Sequence, residues 1–428
     1  MSTNKLRLMA MVLICLMAGT AWSDSTTTPI PREQSGWMKR HNSMNERVKQ
    51  GNVDLLMIGD SITQGWEGPG KEVWAEYYAP RNAVNLGIGG DRVEHVLWRL
   101  QNGNIDGISP KAAVIMIGTN NHKDNTAEEI AEGVRAIVQL LRERLPEMKI
   151  LLLAIFPRDE APGTENRVKL AKTSEMFSDV ADGEMVHYMD IGQHFLDKDG
   201  VLTKEIMPDA LHPVAKGYAI WSAAIEAKLR ELMGETDGAT ALFNGVSLDG
   251  WEQVGGDESN WFTGPGLLYT EGDGGGWIST TREYGDFELS LEFLTPPGGN
   301  SGVFIRAPRE GNPAFEGSEI QILDDFADEY KALEPYQYCG SMYSTAAPSK
   351  RVTKPAGEWQ SMRIRCEVPR VQVWLNGEHI VDANQDEAAS DPKKLKEHPG
   401  LKRQSGYIGL QNHGSRLDFR NVFIKELK

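Results

Sequence analysis

Cysteine is scarce in this 428-residue sequence, which holds three: Cys15, Cys339 and Cys366. A disulfide framework is therefore excluded. At most one bridge, Cys339 to Cys366, is available, and two separate buried thiols are an equal alternative. No Cys/His cluster has the spacing of a zinc site, and no metal ligand or cofactor is named from the sequence, the metal requirement being left open. Beyond the N-terminal stretch no segment holds the roughly 18 uninterrupted apolar residues of a membrane span. Positive charge is in deficit, with 45 Lys and Arg against 61 Asp and Glu and a formal charge of −16. That balance argues against nucleic acid or anionic membrane as a partner and suits a neutral small-molecule or polysaccharide substrate. The oligomeric state is left open.

What is present begins with a targeting signal. Lys5 and Arg7 precede an apolar run from Leu8 to Met17, and Ala21-Trp22-Ser23 places small residues where a signal peptidase reads. Residues 1–23 are expected to be a cleaved signal peptide and the protein exported, secreted or periplasmic. The Thr/Pro-rich residues 24–34 read as a mobile leader. From 35 to 233 short apolar runs alternate with helical patterns. A polar linker follows at 234–239, and residues 240–428 alternate at period two with many Gly and Asn-Gly turns. The chain is thus multidomain: an α/β domain with a parallel sheet, then an all-β sandwich.

In the first domain, the run Leu55-Leu56-Met57-Ile58 ends in Gly59-Asp60-Ser61. It reads as a buried strand closing in a tight turn. Further strands are predicted at Ala83 to Leu86, Ala112 to Ile117, Ile150 to Ile155 and Val186 to Ile191, with helices near 36–50, 92–100, 126–141, 164–182 and 214–233. Strand ends in parallel sheets converge on one rim, where ligands bind. The first three present Ser61, the Gly90 backbone and Asn120 there. Later comes Pro208-Asp209-Ala210-Leu211-His212-Pro213. A serine hydroxyl needs a base within reach, which His212 supplies, and Asp209 can hold the other ring nitrogen. A tetrahedral intermediate needs donors, and the Ser61 and Gly90 N–H groups and the Asn120 amide are of the right kind. His95 reads as structural, and His122 as a candidate for the rim.

The blocks Gly59-Asp60-Ser61, Gly90, Asn120 and Asp209-x-x-His212 resemble the SGNH (GDSL) hydrolases in order and context. Asn85-Leu-Gly-Ile-Gly-Gly-Asp-Arg-Val-Glu-His-Val-Leu-Trp-Arg-Leu100 and Gly118-Thr-Asn-Asn-His122 are similar to the platelet-activating-factor acetylhydrolase branch. The resemblance implies a flavodoxin-like fold with Ser61 as nucleophile and Asp209 and His212 completing the triad. Ser61, Gly90 and Asn120 would form the oxyanion hole. It also implies small acyl groups, acetyl foremost. Many family members carry Asp where Asn121 stands, a departure this branch shares. The other common serine-hydrolase signature, Gly-x-Ser-x-Gly, is absent, because Thr63 occupies its last position.

In the second domain Phe287, Leu289, Leu291 and Phe293 alternate with polar residues, and Asn376-Gly377 joins two strands by a type I′ turn signal. The motifs Gly299-Asn-Ser-Gly-Val-Phe-Ile-Arg306, Glu319-Ile-Gln-Ile-Leu-Asp324 and Gly409-Leu-Gln-Asn-His-Gly414 resemble the 3-keto-disaccharide hydrolase domains, a concanavalin-like jelly roll. The resemblance implies cleavage of 3-keto-glycosides, and alternation puts Glu319 and Gln321 on one face, where with Arg306, Asp324, Gln411 and His413 they would line a sugar groove. The alternatives are cleavage with Glu319 or His413 as base, sugar binding without cleavage, or a scaffold whose strand-end polar residues hold no ligand. The combined expectation is an exported acetylesterase of carbohydrate with a sugar-directed second domain. Its alternative is a 3-keto-glycoside-cleaving enzyme with an accessory esterase.

Overall fold

The computed structural model describes residues 26–256, 260–272 and 274–427, so the expected signal peptide lies outside the described residues. Five short strands form one parallel sheet: β1 Leu55–Gly59, β2 Ala83–Gly87, β3 Ala112–Met116, β4 Lys149–Leu153 and β5 Val186–Met189. Their order is β2-β1-β3-β4-β5. The apolar run of β1 is buried throughout because both faces are covered. Gly59 stands level with Gly87 of β2 and Met116 of β3, so the three following loops emerge side by side.

Helices α1 Ser35–Lys49, α2 Val93–Gln101, α3 Ala127–Arg144 and α4 Glu165–Phe177 cover one face of this sheet. The expected apolar stripes face inward: Val93, Val96, Leu97 and Leu100 on α2, and Ile130, Val134, Ile137 and Leu141 on α3. The capping box at Thr126 and Glu129 is formed. Helix α4 is shorter than its pattern predicts. It gives way at Ser178 to a 3₁₀ turn, and Asp182 then turns the chain by accepting three backbone N–H groups. Helix α5, Ala215–Leu232, packs Tyr218, Trp221, Ile225 and Leu229 on the opposite face.

Residues 26–34, expected to be mobile, are instead a strap laid across this domain. Thr26 is buried with its hydroxyl on the Glu129 carbonyl, and Ile30 N–H donates to Glu94 O at 3.3 Å. Arg32 ends the strap against the loop after β2. Composition suggested disorder, but a buried threonine and one long cation are enough to fix a short segment.

The second domain is a sandwich of two antiparallel sheets. One has the order β13 (Ser318–Leu323), β12 (Asn300–Ala307), β17 (Tyr407–Gln411), β10 (Trp277–Thr280) and β7 (Trp251–Val254). The other runs β16 (Glu378–Asn384), β15 (Arg370–Leu375), β14 (Gln360–Glu367), β11 (Phe287–Leu294), β18 (Leu417–Glu426), β9 (Leu267–Thr270) and β8 (Trp261–Gly264). Strand β6, Thr240–Ala241, pairs with β18. Phe287, Leu289, Leu291 and Phe293 of β11 face Val303, Ile320 and Ile322 in the shared core. Asn376 and Gly377 take φ of 51° and 83°, as the type I′ hairpin requires. Cys339 and Cys366 are both buried and free, so the two-thiol alternative holds.

Residues 234–239 form consecutive turns pinned at several points. Arg81 binds Glu226 of α5 at 2.6 Å and Glu235 at 2.7 Å. Lys425 reaches Asp237 at 3.2 Å. Val246, just past β6, packs into the core beneath α5, and its carbonyl accepts from Gln193 Nε2 at 3.1 Å.

Candidate active site

Ser61 opens a single helical turn, Ser61–Gln64, directly after β1. Asp60 caps that turn by accepting the Ile62 N–H at 2.9 Å. From below, Tyr218 of α5 donates its hydroxyl to Ile62 O at 2.6 Å. The turn is therefore held from both sides.

His212 Nε2 lies 2.9 Å from Ser61 Oγ, and His212 Nδ1 lies 2.6 Å from Asp209 Oδ2. Asp209 also shapes the loop. Its Oδ1 accepts the N–H groups of Leu211 at 3.1 Å and His212 at 2.8 Å. Ala210 adopts φ 56° between them, and its carbonyl accepts from Asp159 N–H at 3.0 Å. This is how a three-residue spacing lets both side chains reach one point. Burial alone would raise the Asp209 pKa, but its hydrogen bonds from His212 hold it below the ordinary carboxylate range. The pair is open to solvent, with 44% of the His212 and 57% of the Asp209 side chain exposed.

Gly90 stands at the rim with φ 76°. Asn120 lies in a 3₁₀ turn, Thr119–Asn121, after β3. Its amide is already engaged: Nδ2 donates to Asp91 O at 2.9 Å and to Asp60 Oδ2 at 3.3 Å. The longer contact is the weaker, so it is the one an oxyanion would displace. Asp60, an unexpected participant, is fully buried. Burial pushes its pKa up to about 7 against the pull of the Ile62 N–H, and Asp91 opposite adds to the rise. Asn121 has a different task. Its Oδ1 accepts Val93 N–H at 3.1 Å and its Nδ2 donates to Glu94 Oε2 at 3.0 Å. An Asp in its place would set a second carboxylate against the buried Glu94.

His95 accepts the Arg92 N–H on Nδ1 at 3.0 Å and belongs to the start of α2. His122 is buried, with Nδ1 at 2.8 Å from Thr119 O and 3.1 Å from Arg158 Nη1. Among the described residues no group of three or more His, Cys, Asp or Glu gathers to hold a metal ion, and no helix is long and apolar enough to cross a membrane.

The second domain carries a separate polar cavity of about 190 Å³ on the outer side of β12, β13 and β17. Glu319, Gln321, Gln411 and His413 line it, as the sequence suggested. Asn300, Asn312, Phe315 and Tyr343 line it too. Asn300 sat within a recognised motif, whereas Asn312 caps and Phe315 lies in a one-turn helix, Pro313–Glu316, and Tyr343 belongs to a loop, all too short for any periodicity to mark them. Glu319 is 5% exposed, and its carboxyl has no hydrogen-bond partner among the described residues. A Cβ on Gly302, on the adjacent strand, would overlap the Glu319 carboxyl, so glycine there makes its room. Burial pushes Glu319 up to about 8. The unfolded chain gives up that proton at ordinary carboxylate pH while the fold retains it, so stability falls as pH rises between those two values. Gln411 Oε1 is likewise buried without a partner.

Arg306 and Asp324 do not belong to this cavity. Period two would put Arg306 on the same face as Gly302 and Phe304, but a register shift before Ala307 and φ 50° turn it away. Its guanidinium is buried on Gly285 O at 3.1 Å, Gln385 Oε1 at 3.0 Å and Asp286 Oδ1 at 3.0 Å. Asp324 lies just past β13 and shapes a turn, accepting Gly298 N–H at 2.9 Å and Phe326 N–H at 3.1 Å.

Comparison with known proteins assigns the two parts of the chain to different families. Residues 57–220 match the GDSL-like lipase/acylhydrolase family. The rat platelet-activating factor acetylhydrolase IB subunit alpha2 is 40% identical over 201 residues, spanning 47% of this chain and 86% of that protein. The chain belongs to the GDSL-like lipase/acylhydrolase family. The human alpha1 subunit is 35% identical over 228 residues, or 53% of this chain and 97% of that one. Beyond the GDSL-like part, residues 238–425 match the 3-keto-alpha-glucoside-1,2-lyase-like domain. Among solved structures, a GDSL-like lipase from Bacteroides thetaiotaomicron VPI-5482 is 20% identical with a TM-score of 0.38, covering 45% of this chain and 97% of its own.

Proposed function

We propose that this acylhydrolase is an exported serine esterase that removes short acyl groups, acetyl foremost, from carbohydrate. The observation that carries the reading is the line Ser61 Oγ, His212 Nε2, His212 Nδ1, Asp209 Oδ2, with contacts of 2.9 and 2.6 Å. In the first half-reaction His212 takes the Ser61 proton as Oγ attacks the ester carbonyl. The Ser61 and Gly90 N–H groups and the Asn120 amide receive the developing oxyanion. His212 then protonates the leaving alcohol. Water, deprotonated by the same ring, releases the acid and restores Ser61. The relatives' own name, acetylhydrolase, supports acetyl as the acyl group, and the lyase-like second domain supports a sugar as the alcohol. The Lys5/Arg7 and Leu8–Met17 pattern supports export. Turnover of p-nitrophenyl acetate, butyrate and octanoate tests the reading. A steep fall with chain length is expected, and no turnover of any of the three would overturn it.

A second reading is favoured by the unpartnered Glu319. In a 3-keto-glucoside the ketone acidifies the C2 proton. An ionised Glu319 would remove it, the C2–H electrons would form an enolate, and expulsion of the glycosidic oxygen from C1 would follow, with a proton returned to the leaving alcohol. Incubation of a 3-keto-glucoside with wild type and Glu319→Ala, followed by product analysis, tests this. Cleavage lost in the variant is expected. Sugar binding by wild type without cleavage would make the domain a binding module instead.

A further inference from the structure

Gly90 offers its N–H to an oxyanion in only one orientation of the Gly89–Gly90 peptide. That peptide is planar and trans, so the Gly89 carbonyl and the Gly90 N–H point in opposite directions. Glycine on both sides of the bond, with Gly90 at φ 76°, leaves the unit free to flip unless something holds it. The Gly90 N–H has no partner among the described residues. The carbonyl does have one: Arg32 Nη1 donates to Gly89 O at 2.8 Å.

Several observations make this contact more than a surface bond. The Arg32 guanidinium lies over Gly90, where a Cβ would stand 3.2 Å from Nη1. The same nitrogen reaches Asp91 Oδ1 at 3.3 Å, while Nε is oriented by Gln34 Oε1 at 2.9 Å. The other groups on the Asp91 carboxylate, Trp37 Nε1 at 2.6 Å and Arg99 Nε at 2.8 Å, come from the interior. Arg32 alone comes from the strap, and 22% of its side chain is exposed. Asp91 in turn holds Asn120 Nδ2 through its carbonyl. Both candidate donors beyond Ser61 thus rest on the loop that Arg32 grips. On the inner side Gly89 N–H donates to Gln64 Oε1 at 2.7 Å, which fixes the other end of the residue.

Resting on the esterase reading, we infer that Arg32 is a positioning residue, through which the N-terminal strap holds the Gly89 carbonyl outward and so keeps the Gly90 N–H turned into the oxyanion hole. Its charge on the carbonyl also polarises that peptide and strengthens the N–H as a donor. The strap is then part of the esterase machinery without touching substrate.

The test compares wild type, R32K and R32M in the full chain. Two readouts are used: steady-state turnover of p-nitrophenyl acetate, and the rate at which a fluorophosphonate labels Ser61 through an adduct whose oxygen sits in the same hole. R32M keeps the aliphatic stem and loses the donor. Removing a whole oxyanion donor lowers kcat by about 10²- to 10³-fold, so loosening one should lower it by about 10- to 100-fold. KM should stay within about threefold, because the ground-state carbonyl barely uses the hole. Labelling should slow in parallel, R32K should recover part of the loss, and the thermal midpoint should not move. Wild-type kcat and labelling in R32M would overturn the inference, as would a fall in kcat explained by loss of folded protein. If wild type neither turns over ester nor takes label at Ser61, the esterase reading fails and the inference with it. An active wild type beside an indifferent R32M defeats the inference alone.

Discussion

Ser61→Ala is expected to lower short-ester turnover by about 10⁵- to 10⁶-fold while leaving the fold intact. Among the described residues the serine side chain makes one hydrogen bond, to His212, and the capping is done by Asp60. Its loss therefore removes chemistry and little else. Circular dichroism and the thermal midpoint should match wild type. Residual turnover above about one per cent would mean that another group attacks the ester. Asp209→Asn should be milder than its counterpart in a buried triad. A sequestered aspartate in that role is worth about 10⁴-fold, because it alone fixes the histidine tautomer. Here more than half of the Asp209 side chain is exposed, so water can share the task. A loss of about 10²- to 10³-fold is expected, growing smaller at high salt, where the exposed pair is screened.

Arg99→Met should destabilise the first domain by about 3–5 kcal/mol. Arg99 is fully buried and serves four oxygen acceptors: Asp91 Oδ2 at 2.8 Å, Asn104 Oδ1 at 2.7 Å, Leu86 O at 2.9 Å and Gly59 O at 3.3 Å. Methionine fills similar space but leaves the Asp91 carboxylate with the Trp37 donor, the more distant Arg32 and the His95 ring at 4.0 Å. It also removes a donor from the carbonyls of Gly59 and Leu86, at the ends of β1 and β2, the strands that launch the nucleophile turn and the Gly90 loop. Arg99→Lys should rescue little, because one ammonium cannot reproduce a planar fork aimed at four acceptors. Urea unfolding measures the change. A shift below about 1 kcal/mol would show that the network is dispensable.

Much of the first site is legible in the chain because its parts are local. Gly59-Asp60-Ser61 closes one strand, and Asp209 and His212 share one loop, so spacing alone implies contact. Period-two alternation likewise puts Glu319 and Gln321 on one face. What escaped depends on partners distant in sequence or on broken periodicity. Arg32 meets Gly89 across 57 positions from a segment without any pattern. Arg306 sits in a strong motif, yet a register shift and a left-handed φ turn it inward. Asp60 has the composition of a cap and performs that role, but its contact with Asn120 exists only because β1 and β3 lie in register. Cys339 and Cys366 could not be resolved by counting. One lies in an irregular segment and the other in β14, and pairing is a matter of geometry.

The anchoring of residues 234–246 has a kinetic consequence. A flexible tether would let the sandwich search a volume around the esterase and raise the local concentration of whatever it held. Arg81, Lys425 and the buried Val246 remove that freedom. The separation between Ser61 and Glu319 is then a property of the fold, like the span of a caliper. On the proposed carbohydrate reading, a sugar released at one site would have to dissociate and be recaptured at the other unless it spans that fixed distance.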